Sequence, residues 1–172
     1  MLVLGIDPGL AITGYGLVQE QDGNLLLVDC GIITTPARVP VSKRLQQLHE
    51  GLQRVLDTYQ PDAASVEELF FGSNAKTAML VGQARGVILL TLSMRGVTIH
   101  EYTPMQIKQA IVGHGGAGKK QMQRMVKMLL DLPEIPTPDD AADAVAAAIC
   151  HFHSARMANL LAAHDGQEEP GS

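Results

Sequence analysis

An α/β fold is predicted, in which helices flank both faces of a mixed five-stranded sheet, and three features of the sequence predict it. Short apolar runs alternate with longer helical segments along the 172 residues. The first three strands follow one another through short turns, which favours an antiparallel meander. The fourth and fifth strands are each reached through a helix, so they are expected to lie parallel to the first strand.

The predicted strands are apolar runs that end at Pro, Gly, Asn or Asp. They cover residues 2–7, 12–18, 25–34, 63–69 and 97–102. The second and third strands are joined by residues 21–24, whose central Asp-Gly pair is typical of a tight hairpin turn.

Five helices are predicted from apolar stripes and from their capping residues. The first begins at the Ser42 cap and ends before residue 60, and the second runs from the Asn74 cap to about Met94. The other three cover residues 104–112, 119–132 and 139–163.

A strip of small side chains runs along the second helix. Ala78, Gly82 and Gly86 lie four residues apart, so they fall on one side of the helix. Such a strip permits the close approach of another element. Either the sheet or a second subunit is expected to pack there.

A single domain is expected over residues 1–163, and residues 164–172 are expected to form a disordered tail. The longest apolar run, residues 86–92, is too short to cross a bilayer. No basic segment precedes the first apolar residues, so no signal peptide is predicted. Cys30 and Cys150 lack metal-ligand spacing and are interpreted as buried apolar residues. A cytoplasmic protein without membrane contact is therefore expected.

The charge is unevenly distributed, although the net formal charge is −5. Residues 72–130 contain eight Lys or Arg and one acid, Glu101, whereas the remaining residues contain five basic and seventeen acidic side chains. This distribution predicts one basic surface on an acidic body, which suits a polyanion such as nucleic acid. The ordinary charge of solvated helix surfaces is the alternative explanation.

Four carboxylates stand where the predicted elements begin or end. Asp7 is the last residue of the first strand, where it either starts the Pro8–Gly9 turn or holds a cation. Glu67 lies near the end of the fourth strand. Asp140 and Asp143 share a face in the first turn of the last helix, where acids also suit the positive helix end.

These carboxylates are expected to meet if the fourth strand lies beside the first, because both strands then end at one edge of the sheet. Four packed carboxylates repel one another unless they are protonated or bridged by cations. Oxygen ligands without a His or Cys set favour Mg²⁺ or Mn²⁺. Two such ions about 4 Å apart are the usual apparatus for in-line attack on a phosphodiester.

Five short motifs occur in order along the chain. They are Gly5-Ile6-Asp7-Pro8-Gly9, Thr13-Gly14-Tyr15-Gly16, Val66-Glu67-x-x-Phe70, Gly82-Gln83-Ala84-Arg85-Gly86 and Asp140-Ala141-Ala142-Asp143-Ala144. Each motif is weak alone, but in this order and spacing they resemble those of the RuvC family of bacterial Holliday junction resolvases, from about residue 3 to residue 153.

The resemblance implies an RNase H-like fold, a homodimer and Mg²⁺-dependent symmetric nicking of four-way DNA junctions. Asp7, Glu67, Asp140 and Asp143 match the four catalytic acids of the family, which implies two Mg²⁺ ions per subunit with Mn²⁺ as a substitute. The resemblance also implies selectivity for a short thymine-rich sequence and work alongside the RuvA–RuvB branch-migration motor.

Basic and aromatic side chains are assigned to DNA binding. Lys108 and Lys119 match the basic residues of the family near the DNA, and Phe70 matches its aromatic position. Phe71 is a second candidate for stacking on bases, and core packing is the alternative for either residue. Glu68 is an extra acid whose role is either neutral or supporting. Further phosphate contacts are predicted for the basic residues Lys76, Arg85, Lys120 and Arg124.

Three other motifs indicate different chemistry less strongly. Gly113-x-x-x-x-Gly118-Lys119 resembles a phosphate-binding loop but has Lys120 where a Ser or Thr is needed, so no nucleotide cofactor is expected. The Asp7-x-Gly9 hairpin resembles that of two-domain ATPases, for which the chain is too short. Neighbouring side chains of Cys150-His151-x-His153 point in different directions from a helix, which argues against zinc.

Two functional alternatives stay open at this point. A related RNase H-like nuclease would act on another substrate, such as an RNA–DNA hybrid. A non-cleaving subunit would only bind junctions, and the presence of acids at all four positions argues against this second alternative.

Overall fold

Five strands form one sheet in the computed structural model of the chain, which describes residues 1–68 and 75–165. The strands are β1 (Leu2–Asp7), β2 (Ile12–Gln21), β3 (Asn24–Thr34), β4 (Ala63–Glu67) and β5 (Thr98–Tyr102). Their order in the sheet is β3-β2-β1-β4-β5, with β1 at the centre. β2 pairs antiparallel with β1 and β3, whereas β4 pairs parallel with β1 and β5. The predicted mixed sheet is therefore confirmed.

Within the described ranges, five helices cover the two faces of the sheet. They are α1 (Val41–Tyr59), α2 (Ala75–Met94), α3 (Pro104–Val112), α4 (Lys119–Leu129) and α5 (Asp139–Asp165). α1 and α2 bury one face through a core that includes Leu4 and Ile6 of β1. α3, α4 and α5 bury the other face through a core that includes Val3 of the same strand. β1 carries no charged or polar side chain before Asp7 because it is covered on both faces.

Two helix ends differ from the sequence-based prediction. α1 begins at Val41, and Pro40 occupies the N-cap position without a side-chain hydrogen bond, so the capping role predicted for Ser42 is wrong. Proline at this position already has the backbone angle that helix entry requires, and it places Ser42 inside the first turn. α4 ends at Leu129 rather than at residue 132, and the left-handed φ of 47° at Asp131 follows its end.

One strand is shorter than predicted, and one hairpin is as predicted. β4 stops at Glu67 instead of continuing to residue 69. The β2–β3 hairpin turns through Asp22 and Gly23, whose φ values of 53° and 82° are both left-handed, as the favoured two-residue hairpin turn requires. The Asn74 cap predicted for α2 lies outside the described residues.

α5 lies directly on β1 and β2 because glycines allow its close approach. A Cβ atom at Gly5 would collide with the carbonyl oxygen of Ala144, and a Cβ atom at Gly14 would collide with that of Asp140. Glycine inside a strand is typical of such a close backbone approach. Since Gly14 pairs with Asp7, this contact places the first turn of α5 beside the end of β1.

α2 is apolar around most of its circumference but is buried on one side only. Ile88 and Leu92 are fully buried against the sheet, while the other side exposes Met79, Leu90 and Met94. Residues 77–94 reach a mean hydropathy of 1.4 and are long enough to pass as a membrane span, a test that the core helix of a soluble protein also passes. α2 therefore presents an exposed apolar strip opposite its buried side.

Candidate active site

Asp7 and Glu67 lie side by side at one edge of the sheet. β1 and β4 are parallel neighbours whose pairing runs from Val3 with Ala63 to Ile6 with Val66, so the two strands end together. Both carboxyl groups line the same cleft, and each acts on the pKa of the other.

α5 brings Asp140 and Asp143 to the same edge. The carbonyl group of Asp140 lies against Gly14, the residue that pairs with Asp7. Asp143, one turn further along, lines a cleft of about 290 Å³ together with Asp7 and Glu67. Among the described residues Asp140 is not part of this lining, but its charge acts on Asp7. The structure thus brings three of the four predicted acids into one cleft and places the fourth beside it.

The electrostatics of the cleft are those of crowded, partly desolvated carboxyl groups. Burial, followed by repulsion from Glu67, Asp143 and Asp140, raises the pKa of Asp7 to about 7. Burial and repulsion from Asp143 also raise the pKa of Glu67. Burial raises the pKa of Asp143 against the opposing effect of Lys119. The cleft therefore favours whatever supplies positive charge, whether a proton or a cation.

Two lysines face these carboxylates from α3 and α4. Lys108 and Lys119 both line the cleft. The charge of Lys108 opposes the rise in the pKa of Glu67. The Nζ atom of Lys119 lies 3.3 Å from Oδ2 of Asp143 and 3.1 Å from Oδ2 of Asp139. Positive charge therefore borders the acidic cleft on the side of the two shorter helices.

The donor set suits a hard divalent cation. The cleft offers carboxylate oxygens without a His or Cys in its described lining, and these carboxylates repel one another when ionised. As they stand, no three His, Cys, Asp or Glu side chains of the described residues are grouped so that they could hold a metal ion. Asp143 is paired with the ammonium group of Lys119, which supplies part of the positive charge that these carboxylates favour.

A second, basic groove lies on the other side of α4. Lys120 and Arg124 line it with Met128, and all three side chains are exposed. Lys119 lines both this groove and the acidic cleft, so α4 connects them. The preceding glycine loop, residues 113–118, follows helix α3 rather than the strand that a nucleotide-binding loop needs.

Arg85 lies on the side of α2 that faces the sheet, and its side chain is mostly buried. Its guanidinium forms an ion pair with Glu101 of β5, and its Nε atom donates to the carbonyl oxygen of Glu67 at 3.4 Å. These contacts connect α2 to the ends of β4 and β5. The DNA contact predicted for Arg85 stays a prediction.

Some of the residues that were predicted to contact DNA lie outside the part of the chain that the structure describes. Phe70 and Phe71 lie outside the described residues, as does the side chain of Lys76. The backbone N–H of Glu68 donates to the carbonyl oxygen of Tyr102 at 2.8 Å, which places Glu68 beside the end of β5. Its functional role stays open.

His151 and His153 of the last helix have separate partners. The ring of His151 stacks on that of His100 at a centroid distance of 4.2 Å, and its Nδ1 atom lies 3.0 Å from the hydroxyl of Tyr102. His153 lies 2.9 Å from the carbonyl oxygen of Ala110 through its Nδ1 atom. They point in different directions, as the helical spacing predicts.

Sequence reasoning missed two acids that organise the surroundings of the cleft. Asp139 pairs with Lys119, and Glu101 pairs with Arg85. The sequence contains a feature that could have drawn attention to each of them. Asp139 stands next to Asp140, and Glu101 is the only acid within residues 72–130. An acid isolated among basic residues indicates an ion pair, but the sequence does not identify its partner.

Residues 3–151 of the chain match the family described as Crossover junction endodeoxyribonuclease RuvC. A protein of Roseiflexus sp. (strain RS-1) with the same description is 56% identical over 154 residues, which cover 90% of this chain and 92% of the relative. Its counterpart in Chloroflexus aurantiacus (strain ATCC 29366 / DSM 635 / J-10-fl) is 55% identical over 155 residues, covering 90% of this chain and 94% of the relative.

Solved structures show the same likeness. T. thermophilus RuvC in complex with Holliday junction substrate superposes with a TM-score of 0.83 at 35% identity, over 91% of this chain and 96% of that chain. The yeast mitochondrial Holliday junction resolvase superposes with a TM-score of 0.68 at 15% identity, over 91% and 80% of the two chains. The second likeness shows the fold alone. With these neighbours, the predicted RNase H-like fold class is confirmed.

Proposed function

The chain belongs to the RuvC family of crossover junction endodeoxyribonucleases, and from this premise we propose that it resolves four-way DNA junctions by symmetric paired nicks in recombination and repair. The observation that carries the proposal is the cleft in which Asp7, Glu67 and Asp143 face Lys108 and Lys119. Acidic ligands beside basic side chains are the arrangement that phosphodiester hydrolysis requires, because the substrate is itself an anion.

Asp7, Glu67, Asp140 and Asp143 would hold two Mg²⁺ ions in each subunit, and Mn²⁺ would substitute. When bound, such ions supply an activated water and charge stabilisation for in-line displacement at phosphorus. The support for this part is the donor set, which consists of oxygen ligands whose mutual repulsion a divalent cation relieves.

The residues of the chain itself orient the substrate. Lys108 and Lys119, at the rim of the cleft, would hold the phosphate to be cut against the acids. Lys120 and Arg124, in the groove beyond α4, would bind the neighbouring phosphates. Lys76, Arg85 and the two aromatic residues Phe70 and Phe71 are proposed to contact the junction as well. Since phosphate contacts release counterions, affinity for the junction should fall steeply with salt.

A homodimer is proposed to form through α2. Met79, Leu90 and Met94 are 66%, 59% and 68% exposed, and a Cβ atom at Gly86 would meet nothing within 4 Å. These residues make an apolar strip with a small residue in its middle, which suits close packing against a second copy of the same helix. Two subunits related by a two-fold axis would place one cleft on each of two strands of like polarity.

The wider setting follows from the same premise. We infer a cytoplasmic protein that works with the RuvA–RuvB branch-migration complex, without a nucleotide cofactor of its own. Residues 1–163 are proposed to form the nuclease domain. Of residues 164–172, which the sequence predicts to be a disordered tail, the first two still belong to α5 and the others lie outside the described residues.

The test is a nicking assay on a synthetic four-way junction with Mg²⁺. The Asp7→Asn variant should lose nicking by several orders of magnitude while it binds the junction with nearly unchanged affinity in a gel-shift assay. Asp22→Asn, in the exposed hairpin turn at the far end of β2, is the matched control and should cut normally. Equal cutting of an RNA–DNA hybrid and of the junction would contradict the proposed substrate. Junction binding without any cutting by the wild type would indicate a non-cleaving subunit.

A further inference from the structure

Asp139, the first residue of α5, contacts α4 through two side chains. Its Oδ2 atom lies 3.1 Å from Nζ of Lys119, and its Oδ1 atom accepts a hydrogen bond from Nε2 of Gln123 at 2.8 Å. Lys119 and Gln123 are four residues apart on α4, so they present one face to Asp139. A single carboxylate therefore holds the N-terminal half of α4 against the start of α5.

The N-terminus of α4 needs such an anion. Its N-cap is Gly118, which has no side chain to accept a hydrogen bond, and its first turn contains Lys119 and Lys120 without an acid. Cations are unfavourable at the positive end of a helix, whereas a carboxylate there is favourable. Asp139 supplies from α5 the negative charge that α4 lacks in its own sequence.

Lys119 forms ion pairs with two carboxylates, one outside the cleft and one inside it. Asp139 is 64% exposed and lies outside the cleft lining, whereas Asp143 lies in the cleft with a side chain that is 34% exposed. The ammonium group lies 3.3 Å from Oδ2 of Asp143, the same group that is proposed to bind a metal ion. The ammonium group and a divalent cation therefore compete for Asp143.

We propose that Asp139 is a positioning residue that retains Lys119 beside the cleft when a divalent cation takes Asp143. With Asp139 present, Lys119 can leave Asp143 and still keep one carboxylate partner, so its competition with the cation is weak. Without Asp139, the lysine pairs with Asp143 alone and opposes the cation more strongly. This inference rests on the proposed metal-binding role of Asp143.

The experiment is a double-mutant cycle read out by calorimetric binding of Ca²⁺ to the full chain without DNA, where no cleavage occurs. Asp139→Asn should weaken Ca²⁺ binding by about twofold to fivefold, the size expected for the loss of one exposed ion pair. Asp139→Glu should restore much of the affinity. In the Lys119→Met background, Asp139→Asn should leave the affinity unchanged within error, because the competitor is already gone.

The controls separate this inference from the proposed function. Glu134→Gln removes an exposed acid from the segment before α5 and should leave Ca²⁺ binding unchanged. Two results would overturn the role of Asp139. Glu134→Gln could weaken Ca²⁺ binding as much as Asp139→Asn does, or the effect of Asp139→Asn could persist in the Lys119→Met background. Either result would mean that the loss of any nearby negative charge weakens Ca²⁺ binding. Asp143→Asn should greatly weaken Ca²⁺ binding in every background. Normal Ca²⁺ binding by Asp143→Asn would instead overturn the proposed metal site.

Discussion

At the scale of single residues, Asp7 has the most perturbed carboxyl group of the cleft. Burial and three neighbouring acids raise its pKa from 3.8 to about 7. Near neutral pH and without a divalent cation, this carboxyl group is therefore about half protonated. A divalent cation held by Asp7, as proposed, would compete with that proton.

This competition predicts a specific effect of pH on stability. Because the pKa of Asp7 is raised in the folded state, its stabilising contribution is complete below about pH 4 and is lost as the pH rises through about 7. Asp7→Asn cannot ionise, so in the absence of divalent cations it should be more stable than the wild type at pH 8. The expected difference in unfolding free energy is about 1 to 3 kcal/mol, since one pKa unit corresponds to about 1.4 kcal/mol and Glu67 shares part of the effect.

Urea unfolding in EDTA between pH 5 and pH 8 measures this difference. The two proteins should converge in stability towards pH 5, where Asp7 of the wild type is protonated. Added Mg²⁺ should stabilise the wild type at pH 8 more than Asp7→Asn. If the unfolding free energies of the two proteins instead change in parallel between pH 5 and pH 8, the pKa of Asp7 is not raised by its neighbours.

At the scale of elements, the position of α5 depends on what β1 and β2 lack. Gly5 is fully enclosed, and a Cβ atom there would collide with backbone atoms of Ala144 and Ala148. Backbone atoms in the middle of a helix cannot move aside as the end of a flexible side chain can. The absence of a side chain at Gly5 therefore fixes the height of α5 above the sheet, and with it the place of Asp140 and Asp143.

Gly5→Ala should lower the free energy of unfolding by about 3 kcal/mol, at the upper end of the cost of overpacking a core. Chemical denaturation with a circular dichroism readout measures the effect. Gly116→Ala is the matched control, because a Cβ atom there makes one ordinary contact at 3.7 Å, with the ring of His114. The control should be neutral or slightly stabilising. Equal stabilities of the two variants would mean that α5 has room to shift.

At the scale of the whole molecule, the proposed homodimer uses the exposed side of α2 as its subunit contact. Leu90→Glu places a charge in the middle of the proposed subunit contact and should convert a dimer into a monomer, because a charge cannot be buried there without a partner. Light scattering after size-exclusion chromatography measures the mass. Leu26→Glu, on the edge strand β3, is the matched control, since Leu26 is also an exposed leucine, and it should remain dimeric. A Leu90→Glu protein that stays dimeric would place the interface elsewhere.

The elements themselves could be predicted because their signals are local. The Asp22–Gly23 turn specifies its hairpin, and the apolar runs specify strands whose ends carry Asp7 and Glu67. The parallel crossover from β1 to β4 then requires these two acids to meet at one edge. The capping role of Ser42 was wrong because Pro40, two residues earlier, already starts the helix.

The partners of single charges could not be predicted in the same way. Lys119 and Arg85 were both assigned to DNA, yet their nearest anions are Asp139 with Asp143 in the first case and Glu101 in the second. Such pairs join residues up to 24 positions apart, and they depend on how two packed elements are rotated about their axes.

The order of the elements and the edge of the sheet at which the carboxylates gather could be predicted, because strand ends and chain crossovers follow from local patterns and from handedness. Which face α2 leaves exposed, how closely α5 lies on Gly5 and Gly14, and where Lys119 is held depend instead on how the elements pack. An almost uniformly apolar helix has no periodicity from which its buried face can be identified. Close approach and ion pairing, likewise, exist only once separate elements are packed together.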